Sequence, residues 1–362
     1  MTPATLLPSL PSGARILIVR LRSIGDILLL TPALSLLKQW RTDLRVTVLI
    51  ESRFRDLLEG NGDVDEVIAV DEAQGWSKAT ARLRTIREIR KRRFALCLNL
   101  HGGPSSTLLT RLSGARSKAG FEHFRTKRLY DFLIPDARLI LGQPALHTAE
   151  HQAAAFFWFG LPRREIPAAR LFVASANEAW WREKRSELGI LPAEDYAVLH
   201  PTALYPTKQW APENFARLGA YVERELRLAP LYSCGPHESS VLEQVEHFAV
   251  TPIRRLEGAS LGQFAAALTG ARLFVGNDSG PAHMAAALGR PSVVIFGSSS
   301  SQIWGPWPRE GAGRVVQNPW ECNPCPGDHC YRFDRPECIL SVTFEQVRAA
   351  VGATLKAVDR QP

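Results

Sequence analysis

Short apolar runs alternate along this chain with stretches whose apolar positions recur at helical spacing, and small-residue loops separate the two. Runs at 15–21 (RILIVRL), 44–50 (LRVTVLI), 66–70, 94–100 (FALCLNL), 196–200, 230–234, 271–275, 291–296 and 314–317 predict strands. Helical spacing follows residue 26 (Leu30, Leu34, Leu37) and returns over 80–93, 147–159, 177–188, from Pro212, from Leu261 and over 343–358. Thr31-Pro32 interrupts the first of these, so that helix either starts there or is kinked. Strands alternating with helices imply parallel sheets, an α/β chain.

The clearest unit is 274–296, FVGNDSGPAHMAAALGRPSVVIF. Gly276 to Gly280 break a strand with turn residues, Pro281 suits the first helical position, and Gly289 suits the helix exit. The amino end of that helix favours an anion. Gly280 would let a diphosphate approach the backbone, and Ser279 and His283 could add donors. Asp278 would repel a phosphate, so it is expected to cap amides or bind a hydroxyl. A βαβ unit whose Asp or Ser merely caps the helix fits the spacing equally well.

Length and composition allow two globular domains. Residues 1–13 form an N-terminal tail expected to be flexible, with no basic start and three prolines, a poor signal peptide. A 14–165 domain and a 166–342 domain follow, joined near 162–167 (PRREIP), with a closing helix at 343–362. No apolar run reaches the roughly 18 residues that span a bilayer, so a cytoplasmic protein is expected. The net charge of +8 suits an anionic partner. No nucleic-acid motif accompanies it, and nucleic acid is not expected. The loop after the first strand lacks G-x-G-x-x-G, which argues against a dehydrogenase.

Candidate chemistry sits mostly at strand ends, where open α/β sheets place ligands. Asp26 follows the first strand. Lys208 follows the loop His200-Pro201-Thr202-Ala203 and offers a phosphate a point charge, unless it is a plain surface lysine. Glu238 could accept from a ribose. Asp63 and Asp65 form an acid-x-acid pair, either solvated turn residues or a metal site. Residues 80–93 carry seven basic side chains against the single acid Glu88, a solvated face or a peripheral membrane contact. Arg125 and Lys127 belong to a basic cluster which, with Arg22, Arg53 and His101, could receive a phosphorylated or carboxylated acceptor. Cys97 and Cys234 read as core residues. Cys322, Cys325, Cys330 and Cys338 share a Pro/Gly-rich loop, where a structural zinc, reduced thiols or a redox-sensitive loop are all open.

R-L-x-S-I-G-D-x-L-L-x-T-P-A-L (20–34), H-P-x-x-x-x-x-x-K-x-W (200–210) and G-N-D-S-G-P-A-H (276–283) together resemble glycosyltransferase family 9, the lipopolysaccharide heptosyltransferases. The resemblance implies a GT-B architecture, two doubly wound Rossmann-like domains facing across a cleft, the closing helix crossing back to the first. It also implies inverting, metal-independent transfer of heptose from ADP-L-glycero-D-manno-heptose to the anionic lipopolysaccharide core. Asp26 then matches the catalytic base, and Thr202, Ala203, Lys208, Glu238, Asp278, Ser279, Gly280 and His283 the donor positions. Thr202-Ala203 stands where a Gly is common. Two alternatives stay open: a transferase or 2-epimerase using another nucleotide sugar, and a non-catalytic nucleotide-binding paralogue.

Overall fold

A computed structural model describes residues 3–71, 75–307 and 313–360, and side chains of the helix Gly75–Lys91 from Thr80 onward. The chain forms two compact units, Met1–Arg170 and Leu171–Pro362. The first holds β1 (Arg15–Val19), β2 (Arg45–Glu51), β3 (Glu66–Val70), β4 (Leu96–Asn99), β5 (Ser117–Phe121) and β6 (Phe132–Ile134). The second holds β7 (Tyr196–His200), β8 (Ala229–Ser233), β9 (Arg254–Leu256), β10 (Leu273–Asn277), β11 (Ser292–Ile295) and β12 (Gly313–Val316).

Every strand pair is parallel, and the sheet orders are β3-β2-β1-β4-β5-β6 and β12-β11-β10-β7-β8-β9. Helices or helical turns therefore carry the crossovers, and the inner strands β1, β2, β4, β7, β8, β10 and β11 are buried almost throughout, whereas the edge strands β3, β6, β9 and β12 are partly exposed. In each sheet the chain leaves the centre in one direction and returns in the other. The reversal falls between β1 and β4, where Val19 faces Asn99, and between β10 and β7, where Gly276 faces His200. Such switch points open a crevice beyond the strands' carboxyl ends.

The structure amends several expectations. Leu6 and Leu7 are buried, Leu7 N–H donates to Phe159 O at 3.0 Å, and Arg41 donates to the Leu10 carbonyl at 2.9 Å. The N-terminal segment is thus a packed part of the first unit, not a loose tail; residues 1 and 2 lie outside the described residues. Pro32 starts a new helix, Thr31–Trp40, separate from Ile24–Leu28. Ile86 and Ile89 enter the first core, whereas Leu83 is 53 % exposed beside Arg84 and Arg87. Asp65 accepts from Lys38 and Arg45 at 3.0 Å each and from Val46 N–H at 2.8 Å. Asp65 thus clamps β2 from an exposed turn. The closing helix, Phe344–Val358, buries Val347 and Val351 in the second unit's core against β11, β12 and the helix Pro212–Arg224. Among the described residues no helix is long and apolar enough to cross a membrane.

Candidate active site

β1 ends at the first unit's switch point, and the chain turns at once into the short helix Ile24–Leu28. Asp26 occupies the third helical position, from which its side chain reaches back to the preceding turn. Oδ2 accepts from Ser23 N–H at 3.2 Å and from the Ser23 hydroxyl at 3.1 Å. Oδ1 accepts from the Arg20 guanidinium, which also donates to Leu100 O beyond β4 and so ties the two central strand ends together. Gln152, on the helix Thr148–Trp158, donates to the Asp26 carbonyl at 2.9 Å. The carboxylate is fixed on both oxygens yet remains 16 % exposed. Each oxygen has two acceptor sites, so an incoming hydroxyl can still find one.

Beyond β4, Asn99 Oδ1 accepts from the amides of His101 at 2.9 Å and Gly102 at 3.1 Å and turns the chain. Gly102 has φ +73°, and the Phe124 ring fills the space where its Cβ would stand, so only glycine fits. That contact packs the loop after β5 onto this turn, and Arg125 and Lys127 lie exposed on it. Burial, then the charges of Arg20 and Arg22, pushes the His101 imidazole pKa down. His151 stacks on Phe121 with centroids 4.4 Å apart and is driven down to about 4 by burial, His123 and Arg20. Of the acceptor candidates, Arg22 and His101 therefore join Asp26. Arg125 and Lys127 stand on the adjoining loop. Arg53, after β2, pairs with Glu51 at 2.8 Å and lies over the Phe54 ring.

In the second unit the loops after β7 and β10 meet. Asn277, fully buried, donates to Pro201 O at 2.7 Å and accepts from Trp210 N–H at 3.1 Å. Lys208 Nζ is thereby brought within 2.7 Å of Asp278 Oδ2, which also accepts from the Ser299 hydroxyl. Asp278 binds a lysine and a serine instead of capping the helix Gly280–Ala287. Ser279 Oγ donates to Asn277 O at 3.2 Å, so the helix start carries no side-chain cap. His283 lies buried in its first turns.

The remaining donor candidates are placed less freely. The His200 ring is held between Ser233 Oγ at 3.0 Å and Thr202 Oγ1 at 2.9 Å, and burial drives it down to about 3. The Thr202 hydroxyl is thus committed to the protein, and Ala203 is buried beside it. Glu238 turns one oxygen back to Gly235 N–H at 2.8 Å, closing its own turn after β8.

Among the described residues no group of three or more His, Cys, Asp or Glu is arranged to hold a metal ion. All six cysteines are free thiols. Burial pushes the Cys338 thiol up to about 11. Arg20, Ser23, Gln152, Asn277 and Ser299 were not singled out from sequence. Arg20, Ser23 and Asn277 lie inside the quoted motifs, whereas Gln152 and Ser299 have no local signal.

Two doubly wound parallel units in one chain define the class of fold: the chain is α/β of the GT-B type. The model of glycosyltransferase family 9 (heptosyltransferase) matches residues 82–332, and the chain belongs to that family. It is 27 % identical over 296 residues to lipopolysaccharide heptosyltransferase 3 of Escherichia coli K12, covering 78 % of this chain and 82 % of that one. Its fold is shared with the family 9 glycosyl transferase from Veillonella parvula, with a TM-score of 0.84, 22 % identity, and 96 % and 98 % of the two chains covered. The E. coli ADP-heptose lps heptosyltransferase II has the same fold at a TM-score of 0.78 and 18 % identity, covering 95 % and 99 %.

Proposed function

We propose that the protein moves heptose from ADP-L-glycero-D-manno-heptose to the lipopolysaccharide core with inversion, Asp26 acting as general base. The observation that carries this reading is the Asp26 carboxylate, immobilised by Arg20 and Ser23 at a switch point but open to one side. Inversion needs one carboxylate to take the acceptor proton as its oxygen attacks the anomeric carbon, and a separate site to stabilise the departing diphosphate. Lys208, with two donors beyond the one given to Asp278, and the uncapped helix start at Gly280 suit that second task. The donor follows from the family and from the ADP-heptose in the name of the E. coli structural relative. A phosphorylated core acceptor would suit Arg22, Arg125 and Lys127. The exposed Leu83 flanked by Arg84 and Arg87 supports a peripheral contact with an anionic membrane on the cytoplasmic side.

Incubation with ADP-heptose, UDP-sugars and GDP-sugars in the presence of core acceptor tests the donor by nucleotide release. ADP release with transfer is the expected result. Preferential turnover of a UDP- or GDP-sugar would overturn the donor assignment, and tight nucleotide binding without transfer would overturn the catalytic one.

A further inference from the structure

A cavity of about 540 Å³ opens at the carboxyl ends of β11 and β12, within the roughly 300–1,000 Å³ range of small-molecule sites. Its walls include Ser299, Ser300, Gln317, Asn318, Trp320 and Asn323, and among the described residues no ionisable side chain lines it. In a chain of net charge +8 this neutrality is informative, because a phosphate or carboxylate would find no cation there.

The walls are set before any ligand arrives. Gln317 accepts from the Ser301 hydroxyl at 2.7 Å and donates to the carbonyls of Ser299 at 2.7 Å and Gly297 at 3.2 Å. Asn318 donates to Ser341 O and accepts from Gln346, both at 2.8 Å. The half-buried Trp320 indole donates to Ser341 Oγ at 3.2 Å and is braced edge-on by Phe333. Asn323 differs. Its amide nitrogen donates to Gly297 O at 2.7 Å, but its buried Oδ1 meets no donor. A buried acceptor without a donor is costly.

A braced aromatic side chain and neutral hydrogen-bonding walls match a polyhydroxylated ring. Ser299 lies on the cavity wall and donates to Asp278, so the cavity is one hydroxyl away from the Lys208–Asp278 pair. We propose that this cavity is a subsite for a neutral sugar ring, either the donor's transferred sugar or a sugar of the acceptor. This rests on the glycosyl-transfer reading given above.

Ser300→Phe and Val315→Trp fill the cavity from different walls. For each, the affinity for ADP reports the integrity of the second unit and is expected within twofold of wild type. The KM for one sugar substrate should rise about tenfold or more: the donor's KM if the donor sugar sits there, the acceptor's if a core sugar does. Both KM values unchanged in both variants would overturn the proposal. Failure of the wild type to turn over any nucleotide sugar would remove the functional reading and not this one. Saturation-transfer NMR with the methyl glycosides of a neutral hexose and a neutral heptose then decides. Transfer to ring protons in wild type, lost in Ser300→Phe, supports the subsite, and no transfer in wild type overturns it.

Discussion

Lys208 and Asp278 stand on loops after different strands, yet the ammonium and the carboxylate meet at 2.7 Å, with Asp278 only 6 % exposed. Removing the lysine would leave a nearly buried charge with Ser299 as its remaining named partner. Lys208→Met is expected to destabilise the protein by about 2 kcal/mol, below the value for a fully buried pair because the lysine is partly exposed. Adding Asp278→Asn should restore much of that stability but no activity. Denaturation of the two single variants and the double variant measures the coupling, and additive losses would show that the pair is not coupled.

Asp26→Asn keeps the shape, and its single amide oxygen can accept from Arg20 or from Ser23 but not from both. It cannot take a proton. Turnover should fall about 10²-fold or more while ADP binding stays nearly intact. Equal losses in binding and rate would make Asp26 a structural residue.

His200 gives a pH dependence with a defined sign. Folded, its imidazole stays neutral down to about pH 3; unfolded, it protonates near its ordinary 6.5. Between those values the unfolded chain binds a proton that the folded chain does not, so stability is lost as the pH falls. From pH 7 to pH 5 the loss from this one group is about 2 kcal/mol. His200→Gln, which retains a donor and an acceptor for Ser233 and Thr202, should show that much less pH dependence in urea denaturation. Identical slopes would mean that the ring is not held neutral.

Charge on the leaving diphosphate is assigned to Lys208 and the helix start, not to a divalent ion. Initial rates should therefore be the same with EDTA as with added magnesium, and a rate restored only by magnesium would contradict the assignment.

The fold was largely legible because strands buried on both faces must be unbroken apolar runs, and β1, β2, β4, β7 and β10 all are. β5 (SKAGF), β6 (FLI) and β9 (RRL) were missed, the last two being three-residue strands at sheet edges, too short to show a period. Asp26, Lys208 and Asp278 could be proposed because each lies just beyond a strand or a turn-rich loop. What they touch could not. Lys208 is 70 residues from Asp278, and Gln152 is 126 from Asp26, so those partnerships exist only after the sheet order is known. Thr202 looked available as a ligand donor because nothing local shows that its hydroxyl turns inward to His200.

The Asn277 amide, one end on Pro201 and the other on Trp210, makes the two loops of the second unit a single module. A chimera importing either loop alone from a relative would strand half of that clasp inside the protein. Donor preference in this chain should therefore be transplantable only when both segments travel together.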